Sequence, residues 1–418
     1  MSRVALVAVL AALVFPAAGQ AATQTLVFKS APIAVAPYGV ATDYQLVPHP
    51  QVDGYVVGMK ADLVDGAGNV VSPLDVMLHH VVFAKVRARD YTCPGSIAER
   101  FYAEGEERME LALPPGYGYA NSASDLWGLV YMLMNHHNRA ESVVVRYTVT
   151  YVTGQPLTPV RPIWLDVHNC QVDPIFTVPG TGGKGSTFSR SADFRLPVSG
   201  RIVAGGGHLH GGGVRLDLTD TTCDKRLFQS LPTWGGVMPM PMMHEPGPTH
   251  MSRFESPTGI PVAAGDVLRL TAVYDDSIPH MRVMGIMLLF FAPGAVGDGC
   301  APVPPLQVDL GSPGPPEPSM PLTLLRRPSG PVAKNVTSTT VSDYRYGAQR
   351  VLLHLGQTFR WRFVGTVPHD VTLATGPVGI ASPSMRTGSF SFRFTRAGTY
   401  NFYCSLHPAR MTQTIVVH

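Results

Sequence analysis

The chain has 418 residues, enough for two or three domains with sizeable cores. Only 15% of residues are charged, Gly (42) and Pro (38) are abundant, and the formal net charge is +3. That balance favours turn-rich β structure over helices. Without a Lys/Arg cluster interleaved with aromatics, it argues against a nucleic-acid surface.

The N-terminus reads as a signal peptide over residues 1–22. Arg3 supplies the positive start, Val4 to Val14 is an apolar run of eleven residues, and Pro16 and small residues follow, with cleavage expected near Ala21 or Ala22. The run is shorter than the roughly 20 residues a spanning helix needs. The later apolar run Val283 to Ala292 has only ten residues, so no membrane span is expected after processing. The mature chain is expected to be secreted, periplasmic or otherwise extracytoplasmic. Setting Cys404 aside, four cysteines remain (Cys93, Cys170, Cys223 and Cys300). They allow three disulfide pairings, of which Cys93–Cys170 with Cys223–Cys300 crosses the fewest domain boundaries.

An all-β organisation is predicted. Residues 25–160 contain strand-like runs at Gly54–Leu63, Leu78–Val86 and Ser142–Val152, with Ser96–Leu113 as a candidate short helix between "PG" and "PP". Residues 161–300 repeat the pattern at Gly200–Ala204, Gly213–Leu218, Val267–Tyr274 and Val283–Phe291. Residues 301–335 hold ten prolines and read as an extended linker that cannot run through a sheet. Residues 336–418 form the last unit, with strands expected at Gln349–Leu355, Thr358–Phe363, Ser389–Phe394 and Gly398–Tyr403.

The last unit ends "GTYNFYCSLHPARMTQTIVV". Cys404-x2-His407-x3-Met411 lies on a tight loop between two strands, and His369 stands 35 residues before Cys404. Two imidazoles, a thiolate and a weak axial thioether suit both Cu(I) and Cu(II), so the set supports electron transfer with little rearrangement. This segment resembles the plastocyanin, pseudoazurin and amicyanin branch of cupredoxins. The resemblance implies a Greek-key β-sandwich and a type 1 copper. The His-to-Met spacing lies between those of amicyanin and plastocyanin.

Earlier histidines form four motifs: "MLHHVVF" (His79, His80), "YMLMNHHN" (His136, His137), "GGGHLHGGG" (His208, His210) and "PHMRVMGIMLLFF" (His280, Met281, Met284, Met287). His-x-His on a strand puts both rings on one face. Adjacent histidines share one ion only at a bulge or strand end, or through different ring nitrogens. Over roughly 40–295 the order and spacing resemble the peptidylglycine α-hydroxylating monooxygenase and dopamine β-monooxygenase family. That resemblance implies two jelly-roll-like sandwich domains and two mononuclear coppers. One copper would be held by His79, His80 and His136, with His137 in reserve. The other would be held by His208, His210 and Met284, with His280, Met281 and Met287 as competitors.

The resemblance further implies hydroxylation of a substrate C–H bond with O2 at the His208/His210/Met284 copper, the other copper supplying an electron. The total would be up to three copper ions. The expected partners are an external electron donor or small reductant, O2, and a small-molecule substrate. The substrate-binding Arg of the peptide-amidating members is replaced by Gly206, and a Tyr on the Met strand by an apolar residue near Leu288, which points to an uncharged substrate. A non-catalytic copper or electron carrier is the alternative. The stretch 237–251, with Met238, Met240, Met242, Met243, His244, His250 and Met251, reads as a copper-loading loop or a Met-packed lid.

Overall fold

A computed structural model describes residues 22–171, 173–235, 245–311 and 322–418. Every regular element among them is a strand. The signal-peptide expectation falls on residues outside the described ones, except Ala22. Ala22 opens the first strand, Ala22–Lys29, and pairs with Thr153.

The first three-quarters of the chain are built on one continuous sheet. Its spatial order is Ala22–Lys29, Glu141–Thr153, Gly54–Val64, Tyr117–Asn121, Thr158–Asp166, Gly285–Pro293, Gly200–Leu209, Arg253–Val262 and Gln307–Asp309. Two four-stranded sheets form the second layers. One contains Val76–Val86 between Trp127–Asn135 and Ala98–Gly105, and the other contains Val267–Asp275 between Thr187–Arg195 and Gly213–Asp220. Strand Glu141–Thr153 alternates buried and half-buried residues, as its sequence predicts. Gly285–Ala292 is buried along its whole length, which accounts for the unbroken apolar run "GIMLLFFA".

The boundary expected between residues 160 and 161 falls inside a strand. Thr158–Val160 pairs in parallel with Tyr117–Tyr119 of the first half, while Arg161–Asp166 pairs with Ile286–Phe291 of the second. The two halves therefore share a sheet and one apolar core, reaching from Ile33 to Ala292. Disulfides Cys93–Cys170 and Cys223–Cys300 both form, each spanning 77 residues. Loop closure of that length is worth about 4 kcal/mol by the chain-entropy argument.

Two expectations need correction. The candidate helix at 96–113 is a strand, Ala98–Gly105, followed by a turn and Leu111–Ala112. The run "RFYAE" favours a strand once Val76–Val86 is available as a partner. The proline-rich stretch also joins sheets after all, at triplets that contain no proline. Gln307–Asp309 extends the large sheet, and Val332–Lys334 pairs in parallel with Arg350–Leu352. Residues 312–321 lie outside the described ones.

The C-terminal unit packs a five-stranded sheet on a four-stranded one around Trp361, Phe359, Tyr400 and Phe402. The Trp361 indole donates to Gln413 Oε1 at 2.7 Å, so the large ring is buried without losing a hydrogen bond.

Burial holds the Glu104 carboxyl at a pKa of about 8, against the lowering effect of hydrogen bonds from Tyr102 and the Ala61 amide. The unfolded chain loses this proton near the ordinary value of 4.5, so the group's contribution to stability is complete below that pH and is lost as pH rises to about 8. Thermal melts across that range should show the parent losing more stability than Glu104→Gln, by several degrees. Parallel curves would contradict the assignment.

Candidate metal centres

The pairing of Val76–Val86 with Trp127–Asn135 runs regularly from Val76↔Asn135 to Leu78↔Leu133 and resumes at His80↔Met132. His79 is the extra residue of a bulge. A bulge breaks the alternation of faces. His79 and His80 consequently bring their Nδ1 atoms to 2.7 Å, although regular neighbours would point apart. His208 near the end of strand Gly200–Leu209 and His210 just beyond it stand two residues apart, with ring centroids 5.0 Å apart. The two motifs meet: His80 Nε2 lies 3.0 Å from His208 Nε2 and 3.1 Å from His210 Nε2. His79, His80 and His210 each offer a nitrogen within 4.8 Å of the others. Nitrogens this close keep their lone pairs from facing only through alternating protonation or a shared cation.

Surrounding groups hold this cluster. The buried Glu107 carboxylate receives His208 Nδ1 at 2.9 and 3.0 Å, which directs Nε2 toward His80. Burial lowers the His208 pKa, but the Glu107 charge and hydrogen bond outweigh it and the net shift is upward. Gly105 makes the approach feasible, because a Cβ there would lie 2.6 Å from Glu107 Oε2 and 2.9 Å from His208 Cε1. The Tyr274 hydroxyl receives the His210 amide at 3.0 Å and donates to the Met284 carbonyl, tying those two backbones together.

Met284 is buried just before Gly285–Pro293, and Met287 is buried within it. His136 is buried one residue beyond Trp127–Asn135, and its amide donates to Asp75 O at 3.0 Å. His137 Nε2 bonds the Asp75 carboxylate at 2.5 Å. Of the Met-rich stretch, residues 236–244 lie outside the described ones. Met251 is buried in the core, and His250 Nε2 lies 3.7 Å from Asp309 Oδ1.

Gly206 lies where the monooxygenase resemblance expects an arginine. A Cβ there would meet Met109 Sδ at 2.4 Å, so Met109 fills the space. Both line a mostly apolar cleft with Leu111, Phe254 and Leu288. Arg253 also lines it, but its guanidinium is engaged by Asp309 and by the Glu110 carbonyl.

The second site is more local. Gly398–Tyr403 and Thr412–Val417 pair in register to Tyr403↔Thr412, so residues 404–411 form the loop that joins them. The loop is cinched by Cys404 N to Met411 O at 3.1 Å, His407 N to Cys404 O at 3.0 Å and Met411 N to His407 O at 3.1 Å. His369 ends the strand Thr358–His369. Its Nδ1 lies 3.2 Å from His407 Nδ1, and Cys404 Sγ lies 3.6 Å from the same atom.

His369, Cys404 and Met411 are fully buried. Burial, then the nearby Asp370 carboxylate, pushes the Cys404 thiol far above its usual range, so a cation is what would stabilise the thiolate there. The Asp370 amide donates to Sγ at 3.4 Å. Burial, then the neighbouring His369, lowers the His407 pKa to about 4, leaving that ring neutral and able to donate a lone pair at neutral pH. Tyr344 stands edge-on to His407 at 4.8 Å, with the Arg410 guanidinium 5.0 Å over its ring.

No family model matches the chain. It is 28% identical over 89 residues to amicyanin of Paracoccus denitrificans, which is 20% of this chain and 68% of that protein. Amicyanin-alpha of Methylorubrum extorquens is 24% identical over 84 residues, which is 19% of this chain and 71% of that protein. Among solved structures, a purple cupredoxin from Nitrosopumilus maritimus is matched with 26% identity over 20% of this chain and all of its own, at a TM-score of 0.19. The chain is thus similar to amicyanins over about one-fifth of its length.

Sequence reasoning did not single out Glu107, Tyr274 or Asp370. The acidic run "EGEER" at 104–108 was the one available signal for the first. Replacing Glu107 with Ala should weaken Cu(II) binding at the histidine cluster by about 10–100-fold and leave the Cys404 site unchanged. Chelator competition with an EPR nitrogen-hyperfine readout measures both, and an unchanged affinity at the cluster would contradict the orienting role.

Proposed function

We propose that the chain is an exported copper redox protein that hydroxylates a C–H bond of a small substrate with O2 and is fed electrons through a C-terminal type 1 copper domain. The observation that carries this reading is the convergence of His79 and His80, from the four-stranded sheet of the first half, with His208 and His210 from the large sheet. His369, Cys404, His407 and Met411 hold the type 1 ion. His79, His80 and His136 hold the electron-supplying ion, and His208, His210 and Met284 hold the oxygen-reacting one, for up to three coppers.

Bound copper supplies one-electron exchange and reduction of O2. The protein's own part is to orient His208 through Glu107, to fix His210 against Met284 through Tyr274, and to keep the Cys404 thiol out of water. The 28% identity to amicyanin supports the electron-transfer role of the last domain. Two disulfides support an extracytoplasmic location.

Gly206 stands where an arginine would hold a substrate carboxylate, and the nearby Arg253 guanidinium is already engaged by Asp309 and the Glu110 carbonyl, so an uncharged substrate suits this reading better than a carboxylate. The absence of an arginine at Gly206 also favours the second reading, a non-catalytic copper and electron carrier. Oxygen uptake with a reductant and an uncharged C–H substrate separates the two. Under the monooxygenase reading, Cys404→Ser abolishes turnover driven by a protein donor, while turnover driven by a small reductant such as ascorbate stays within about twofold. Equal turnover with both reductants in the variant would remove the electron-relay role, and no substrate-dependent uptake in the copper-loaded parent would favour the carrier.

A further inference from the structure

The C-terminal domain is attached by more than the proline-rich stretch. Gly379 N of that domain donates to Pro179 O of the second half at 2.9 Å. Met281 packs on the C-terminal core, and a Cβ at Gly379 would lie 2.6 Å from the Val178 carbonyl oxygen of the second half, so glycine is needed for the contact. Next to it, Arg282 holds a left-handed backbone conformation (φ 55°). Such a conformation is unfavourable for a non-glycine residue and persists only where surrounding contacts enforce it.

The Arg282 side chain is largely buried and spans the junction. Nη1 lies 3.6 Å from Asp370 Oδ2 and donates to Ser382 O at 3.4 Å, while Nη2 lies 3.6 Å from Asp173 Oδ2. Asp370 is fully buried between His369 and Val371. Its Oδ1 receives the Ser405 amide at 2.8 Å and its Oδ2 the Ser405 hydroxyl at 2.5 Å, directly beside Cys404. A buried carboxylate requires such partners, and removing its cation would leave an uncompensated charge.

The other end of the same short strand, His280–Val283, reaches toward the histidine cluster. His280 is fully buried, with Nδ1 2.6 Å from Glu245 Oε2. Its ring lies so close to Gly212, two residues from His210, that a Cβ there would be 2.2 Å from Cε1.

We propose that Arg282 locks the C-terminal domain onto the second half, and that the strand His280–Val283 is the fixed junction between the thiol site and the histidine cluster. The domain works docked and does not swing on its linker. This rests on the copper reading above. With copper held at both sites, one electron would pass from the ion beside Cys404, oxidising it, to an ion at the histidine cluster, reducing it, and an external reductant would refill the first.

Hydrogen exchange of the metal-free full chain tests the lock without any redox chemistry. The Gly379 amide should be protected in the parent and in Arg282→Lys, and should exchange at least about tenfold faster in Arg282→Ala. Asp173→Asn, a change at a half-exposed carboxylate, should show a smaller acceleration. An unprotected Gly379 amide in the parent, or unchanged exchange in Arg282→Ala, would overturn the lock.

With copper loaded, flash reduction of the thiol site should be followed by electron loss to the cluster at least about tenfold more slowly in Arg282→Ala, with the parent's visible band retained. Loss of protection with an unchanged transfer rate would overturn the junction as the route. The failure of the copper reading itself would be recognised separately, as a parent that gains no visible band on copper loading whatever its amide protection.

Discussion

Everything at the histidine cluster depends on one strand serving two sheets' worth of structure. Thr158–Asp166 pairs with the first half through its first three residues and with the second half through the rest. That continuity sets the relative position of Val76–Val86 and Gly200–Leu209, which carry motifs 128 residues apart. Imidazole nitrogens 3.0 Å apart leave no room for the two halves to slide or rotate by even one residue of strand rise, about 3.3 Å. The shared core and the Cys93–Cys170 bridge, which joins the two halves, resist such movement.

The two sites solve the same electrostatic problem with different means. At the C-terminal loop, a fully buried thiol sits beside two rings, one of which burial keeps neutral. The donors are poised and the positive charge is left for an ion to supply. At the cluster, a carboxylate behind His208 adds negative charge, and a bulge at His79 turns a neighbouring ring into the same space. In both, a residue outside the donor set aims the donors: Asp370 beside Cys404 and Glu107 behind His208. Arg282 then joins the Asp370 network to the half of the molecule that carries His208 and His210.

What was legible in the sequence was what is local in the fold. Cys404, His407 and Met411 lie on one eight-residue hairpin loop, so their spacing alone implied convergence. The partial alternation in 142–152 and the apolar run at 283–291 predicted, for the same reason, the strands found at Glu141–Thr153 and Gly285–Pro293. The meeting of His80 with His208 depends on pairing across three strands of different sheets, and no local pattern encodes it. The bulge at His79 depends on the register with Trp127–Asn135. "RFYAE" was ambiguous between helix and strand until a neighbour settled it. Proline density hid the two triplets that complete sheet edges, because composition averages over the residues whose amides remain free.

Diffraction from copper-loaded crystals at the copper absorption edge bears on the cluster most directly. Two anomalous peaks, one at the His79–His80 pair and one at the His208–His210 pair, together with one beside Cys404, His369 and His407, are the predicted result. A single peak at the Cys404 loop, with none among the four rings, would contradict the account.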